Sequence, residues 1–217
     1  MTLTRRTLVV FASVLVAWSL TWLVKVRMLD EFAPWLTTDA GSFAFWTSAK
    51  VALWVAPSMM LVRWSGRSLR DVMSIRRPGA CLTWGAGSGL AIALVAIVPR
   101  WLSGRSPVSL PVDFATVNAL VVAPLLEEFF LRGAVLGNFK REQPFARANA
   151  GASLLFLGLH LPGWFFMGTL SAQLLTPMGG ALSIVVLGLV FGYVAHRSHT
   201  VVAAIIAHAL NNLASLG

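Results

Sequence analysis

The chain has 217 residues, of which 57% are apolar and 12% charged, with a mean hydropathy of +0.77 and a formal net charge of +9. A water-soluble domain carries roughly 25% charged residues, so an ordinary soluble enzyme, a disordered chain and a disulfide scaffold are excluded. Cys81 is the one cysteine, which rules out an internal disulfide and a thiolate metal site. The basic excess comes without a compact basic face or aromatic-interleaved strands, so it reads as the loop charge of a membrane protein, and no nucleic-acid partner is expected.

Seven apolar segments run in chain order over 8–29, 43–62, 82–99, 114–138, 149–171, 179–195 and 200–216. Each is near the length that a bilayer-crossing helix needs. Between them stand Asp30, Glu31, Pro34 and Asp39, then Gly66 to Pro78, Arg100 to Pro111, Lys140 to Arg147, Pro177 to Gly180, and His196 to His199. These charged, Gly and Pro residues stop helices and sit poorly in lipid. The first segment follows Arg5 and Arg6 and reads as a retained helix, because no small-residue cleavage site follows it.

No internal repeat or separate soluble domain is visible. The expected fold is therefore an all-α, polytopic transmembrane bundle of about seven helices. Eleven basic residues fall on one side of it: Arg5, Arg6, Arg63, Arg67, Arg70, Arg76, Arg77, Lys140, Arg141, Arg147 and Arg197. Lys25, Arg27, Arg100 and Arg105 fall on the other. That asymmetry places the N-terminus in the cytoplasm and the C-terminus outside.

Ionisable side chains within such helices are costly unless paired or facing a wet cavity, so each is a candidate site residue. The fourth segment holds Glu127, Glu128 and Arg132. Glu128 and Arg132 are four apart, on one face and in the favoured acid-to-base order. Glu127 points about 100° away from them, with no local partner. A structural pair and a chemical carboxylate are expected, since a carboxylate removed from bulk water is a stronger base than one in solution.

His160 lies in the fifth segment, and His208 and Asn212 share a face of the last. Counted along their helices at 1.5 Å per residue, Glu127, His160 and His208 lie roughly 18, 18 and 13 Å from the cytoplasmic edge. Unrelated core residues would scatter in depth, so one shared polar site is expected.

Taken together, Glu127-Glu128-x-x-x-Arg132, Phe156-x-x-x-His160 and His208-x-x-x-Asn212, with the intervening Gly188 to Tyr193, resemble the motifs of the CAAX protease and bacteriocin-processing family of intramembrane endopeptidases. The resemblance covers about residues 114–216. It divides the chain into a variable N-terminal part, 1–113, and a catalytic-type core, 114–217, within one integral membrane domain. It implies peptide-bond hydrolysis near the cytoplasmic membrane face, without a covalent acyl-enzyme.

By the same resemblance, Glu127 activates a water with help from His160. His208 and Asn212 stabilise the oxyanion or complete a metal site, and Glu128 and Arg132 support the site. A Zn2+ held by Glu127, His160 and His208 is feasible, with an open position for water. Hydrolysis by Glu and His without metal is equally compatible, and no organic cofactor is expected. The partners are then the lipid bilayer and a peptide or lipidated protein end, in a prokaryotic inner membrane.

A non-catalytic scaffold retaining the fold is the alternative reading. A proton-relaying transporter is disfavoured by the lack of an inverted repeat. Lys50 is expected to snorkel to the interface. Asn118 reads as an interfacial hydrogen-bonding residue, and Asn211 as a helix-end or interhelical one. Trp18, Trp22, Trp35, Trp46 and Trp101 read as interfacial anchors. Trp164 and Phe165 are candidates for a substrate groove.

Overall fold

The computed structural model describes residues 1–106 and 110–216. Residues 107–109 of the expected Arg100–Pro111 connection, and Gly217 of the expected core, lie outside it. Among the described residues there is no strand. The helices are α1 (Leu3–Phe32), α2 (Asp39–Trp64), α3 (Leu69–Met73), α4 (Pro78–Leu102), α5 (114–139), α6 (Phe145–Phe166), α7 (Leu170–Leu175), α8 (Ala181–Ser198) and α9 (Val201–Ser215). The seven long ones correspond to the seven apolar segments, so the protein is an all-α polytopic membrane protein.

By length and apolar composition alone, α1, α2, α4 and α8 qualify as membrane-crossing. The remaining three long helices carry the buried Glu128, Arg132, Asn138, Asn149, Ser153 and His208, and α9 is apolar but only 15 residues long. The site is thus assembled from the least lipid-like helices, shielded by the others. α1, α4 and α8 turn bulky apolar side chains such as Val16, Leu94 and Leu182 outward, as a lipid-facing surface requires.

Polar caps set where several helices begin. Thr2, Thr38, Ser68, Asp113 and Thr200 each accept a backbone N–H of the first turn with their side chains. Ser68 and Asp71 do so reciprocally, as a capping box.

Two apolar clusters hold the bundle together. One joins α1, α2, α5 and α6 through Phe11, Trp18, Trp54, Leu61, Phe130 and Phe156. The other joins α4, α8 and α9 through Cys81, Phe191, Val194, Ala203 and Ala207. In the second, a Cβ on Gly85 would come within 3.0 Å of the Ala203 Cα, and one on Gly89 within 3.0 Å of the Ala207 Cα. Only glycine allows the two backbones that approach, which is how helices associate where no hydrophobic effect drives them.

A buried polar clip ties the end of α5 to α1 and α2. Asn138 donates to Thr7 Oγ1 and to the Leu61 carbonyl, both at 3.1 Å, and accepts from Arg67 Nη2 at 2.8 Å. Arg67 also donates to the Gly133 carbonyl at 2.8 Å. Burial and the neighbouring Arg141 lower the Arg67 pKa to about 10.

α5 is not a regular α-helix. It widens to π-helical turns at Asn118–Val122 and again at Phe129–Leu136. At the first, the Ala123 N–H reaches back to the Asn118 carbonyl, five residues away. In that register the Ala119 carbonyl would accept from residue 124, which is proline and has no N–H. The Asn212 side chain of α9 takes the freed carbonyl instead, at 2.8 Å. π turns inside α-helices frequently mark functional sites, and this one lies immediately before Glu127.

Candidate active site

Glu128 anchors the cluster. It is 0% exposed, with Oε2 at 3.1 Å from Arg132 Nε and Oε1 at 2.9 Å from His208 Nδ1. The first contact is the ion pair expected one turn apart on α5; the second reaches across to α9. Arg132 is held in turn by the Gly188 carbonyl at 3.1 Å, and its guanidinium lies 4.6 Å from the Phe156 ring centre and 5.6 Å from that of Phe191. The Gly188 to Tyr193 segment of α8 thus supplies both a carbonyl and an aromatic face to the buried cation.

Glu127 faces the other way along the same helix, as the 100° separation requires, but it is not without partners. Its Oε1 is 3.6 Å from Lys50 Nζ on α2, and its Oε2 is 4.0 Å from His208 Nε2. One imidazole therefore spans both carboxylates, with Glu128 on Nδ1 and Glu127 towards Nε2.

Hydrogen bonding fixes how each ring is presented. A carboxylate paired with Arg132 accepts, so His208 Nδ1 carries the proton of that bond. His160 Nδ1 lies 2.9 Å from the Phe156 carbonyl, which can only accept, so this nitrogen also carries hydrogen. Both imidazoles keep Nε2 for the site, the orienting arrangement that other functional histidines use. His208 is also stacked on Phe191 at 4.8 Å between ring centres, and Phe156 lies edge-on to His160 at 4.8 Å.

Glu127, His160, His208, Asn211 and Asn212 line one cavity of about 160 Å³, walled by Phe156, Leu187 and Phe191. Asn212 commits one N–H to the Ala119 carbonyl and accepts from Asn211 at 3.1 Å, which leaves its second N–H. Asn211, expected to point elsewhere, is part of this small cavity.

Glu127 and His160 also line a larger pocket of about 370 Å³, formed by Trp18, Trp22, Trp46, Trp54, Phe43, Phe114 and Trp164 together with Lys50, Asn118 and Asp39. The two residues form the wall between a small polar chamber and a wide aromatic one.

The N-terminal half differs from its sequence reading here. Lys50 does not snorkel: its side chain is 11% exposed and lies 5.4 Å from the Trp54 ring centre. Trp18 is buried against Trp46 and Trp54, and Trp22 packs on Trp46 at 4.2 Å. These tryptophans form the pocket, whereas Trp35 and Trp101 are exposed as anchors would be. Asn118 lines the pocket with an unpartnered Oδ1. Trp164 reaches the pocket, but Phe165 turns outward. Lys50 carried no motif or spacing signal; its position within an apolar segment was the only one.

Among the described residues, no three His, Cys, Asp or Glu side chains are grouped so that they could hold a metal ion, and Glu127, His160 and His208 are not such a group. Donors on a tetrahedral zinc, with bonds of about 2.0–2.2 Å, stand roughly 3.4 Å apart. The 4.0 Å between Glu127 Oε2 and His208 Nε2 is wider than that. A water bridging two hydrogen bonds spans about that distance.

Fold and site together define a polytopic helical membrane protein with a buried carboxylate–imidazole–amide cluster. Residues 110–214 match the family described as Rce1-like, type II CAAX prenyl endopeptidase Rce1-like. Over those residues the chain is similar to the CAAX protease family. No curated protein and no solved structure shows a significant match to it.

Proposed function

We propose that the protein is an intramembrane endopeptidase in which Glu127 takes a proton from a water held in the small cavity, and that water attacks a peptide carbonyl. The observation that carries this reading is the meeting of Glu127, His160, His208 and Asn212 at one cavity that borders a pocket wide enough for a substrate chain. His160, with Nε2 unengaged, assists the proton transfer. His208, in its protonated form, and the second N–H of Asn212 face the oxygen that becomes negative, where donors are most effective in a water-poor site.

Glu128 and Arg132 hold His208 rather than act on substrate. The proton taken by Glu127 goes to the departing amine, so no covalent intermediate is required. The aromatic pocket receives apolar groups of the substrate, which suits a peptide or lipidated protein end. The core 114–217 supplies the chemistry, and both parts of the chain wall the pocket, Trp18, Phe43 and Trp46 from 1–113 beside Phe114 and Trp164 from the core.

The test is cleavage of quenched fluorescent peptides, with and without a prenylated CAAX end, by the purified full chain in liposomes. Glu127→Gln keeps the shape of the side chain and removes its basicity. Its turnover is expected to fall about 10²–10⁴-fold, the usual contribution of a general base, in a chain that still folds and inserts into the membrane. Turnover by this variant at the unsubstituted rate refutes the assignment of Glu127.

A further inference from the structure

Among the described residues, Lys50 is the only lysine or arginine lining the larger pocket, and it belongs to α2, outside the matched residues 110–214. A lysine within reach of water would extend to it. This one is folded inward over Trp54, itself buried, with its ammonium 3.6 Å from Glu127 Oε1. Burying an ammonium is unfavourable unless its partner and geometry compensate. Its only ion-pair partner among the described residues is the carboxylate that the proposed chemistry needs.

The two oxygens of that carboxylate face different neighbours. Oε1 faces Lys50 and Oε2 faces His208. A carboxylate held at one oxygen cannot rotate freely about its terminal bond, so its second oxygen stays aimed at the chamber lined by His160, His208 and Asn212. Without Lys50 the group would be a buried carboxylate free to turn towards the aromatic pocket.

We propose that Lys50 is a positioning residue: it orients Glu127 for proton transfer and is contributed by the half of the chain that carries no family motif. This rests on the reading of Glu127 as the base. The competent site then requires α2 as well as the helices of the matched region.

The experiment compares Lys50→Met, Lys50→Arg and Glu127→Gln in the full chain, in turnover and in thermal unfolding. A misaimed base lowers kcat, while substrate binding in the wide pocket changes little. Lys50→Met is expected to lower kcat about tenfold or more with KM within about twofold. Lys50→Arg, which keeps the cation, should recover most of the loss. In unfolding, Lys50→Met should be destabilising alone but not when combined with Glu127→Gln, because the uncompensated charge is then gone.

Unchanged kcat in Lys50→Met overturns the proposal. So does Lys50→Arg behaving no better than Lys50→Met, or equal destabilisation by Lys50→Met in the two backgrounds. Full activity in Glu127→Gln would instead overturn the base assignment, which the unfolding cycle does not depend on.

Discussion

Arg132→Met tests the electrostatic core of the site. The arginine side chain is 1% exposed and compensates a carboxylate that is 0% exposed. Methionine replaces most of the volume between Phe156 and Phe191 but removes the ion pair at 3.1 Å and the donor to the Gly188 carbonyl. Breaking a buried pair by deleting one partner costs about 3–5 kcal/mol, a large share of the roughly 5–15 kcal/mol that holds a typical protein folded.

His208 remains on Glu128 Oε1 and limits the loss, so the expected cost is about 3 kcal/mol, the lower end of that range. Arg132→Met combined with Glu128→Gln should recover most of it, since the Gln carbonyl still accepts from His208 Nδ1 and no net charge stays buried. The assay is denaturant unfolding of the purified chain in detergent, followed by tryptophan fluorescence. A single variant within 0.5 kcal/mol of the parent (about twofold in the folding equilibrium), or a double variant no better than the single, would refute this account of Glu128.

Two further outcomes follow. Chelators such as 1,10-phenanthroline should leave turnover within about twofold, since the candidate donors are not set for zinc; loss of turnover restored by added zinc would contradict that geometry. At the start of α1, the backbone N–H groups of Thr4 and Leu3 bond the Glu142 carboxylate at 2.8 and 2.7 Å and hold its pKa below the ordinary value. The unfolded carboxyl, at about 4.3, therefore takes up its proton first as pH falls. The contact stabilises above that value and is lost as pH drops through the lower folded one. Protection of amides 3–7, measured against their intrinsic exchange rates, should fall on acidification in the parent, and Glu142→Gln should remove that dependence. Identical pH profiles for the two chains would count against the contact.

The parts of this site legible in the sequence are those that a rigid helix dictates. Glu128 and Arg132 meet because four residues make one turn. Glu127, His160 and His208 reach a common level because each residue adds a fixed rise, whatever the helix packs against. Rotation between helices has no such local rule. Nothing on α1 or α2 says that Lys50 faces inward, or that Trp18, Trp22, Trp46 and Trp54 turn from the interface to wall a pocket. Those orientations depend on which face of α2 meets α5, and that is a property of the assembled bundle.

Asn212 shows how one local irregularity changes a residue's role. From spacing alone it is a second ligand or an oxyanion donor beside His208. The widened turn at Asn118–Val122 and the missing N–H of Pro124 leave the Ala119 carbonyl in need of a donor, and Asn212 supplies it. An unsatisfied carbonyl in the membrane interior is expensive, so this bond has first claim on the amide. It also fixes α9 against α5 one turn beyond His208, where a small rotation would carry Nε2 away from Glu127. The proline that disturbs α5 and the asparagine that answers it therefore set the distance between the two chemical groups. For the same reason, Asn212 acts on the oxyanion only with the N–H it has left.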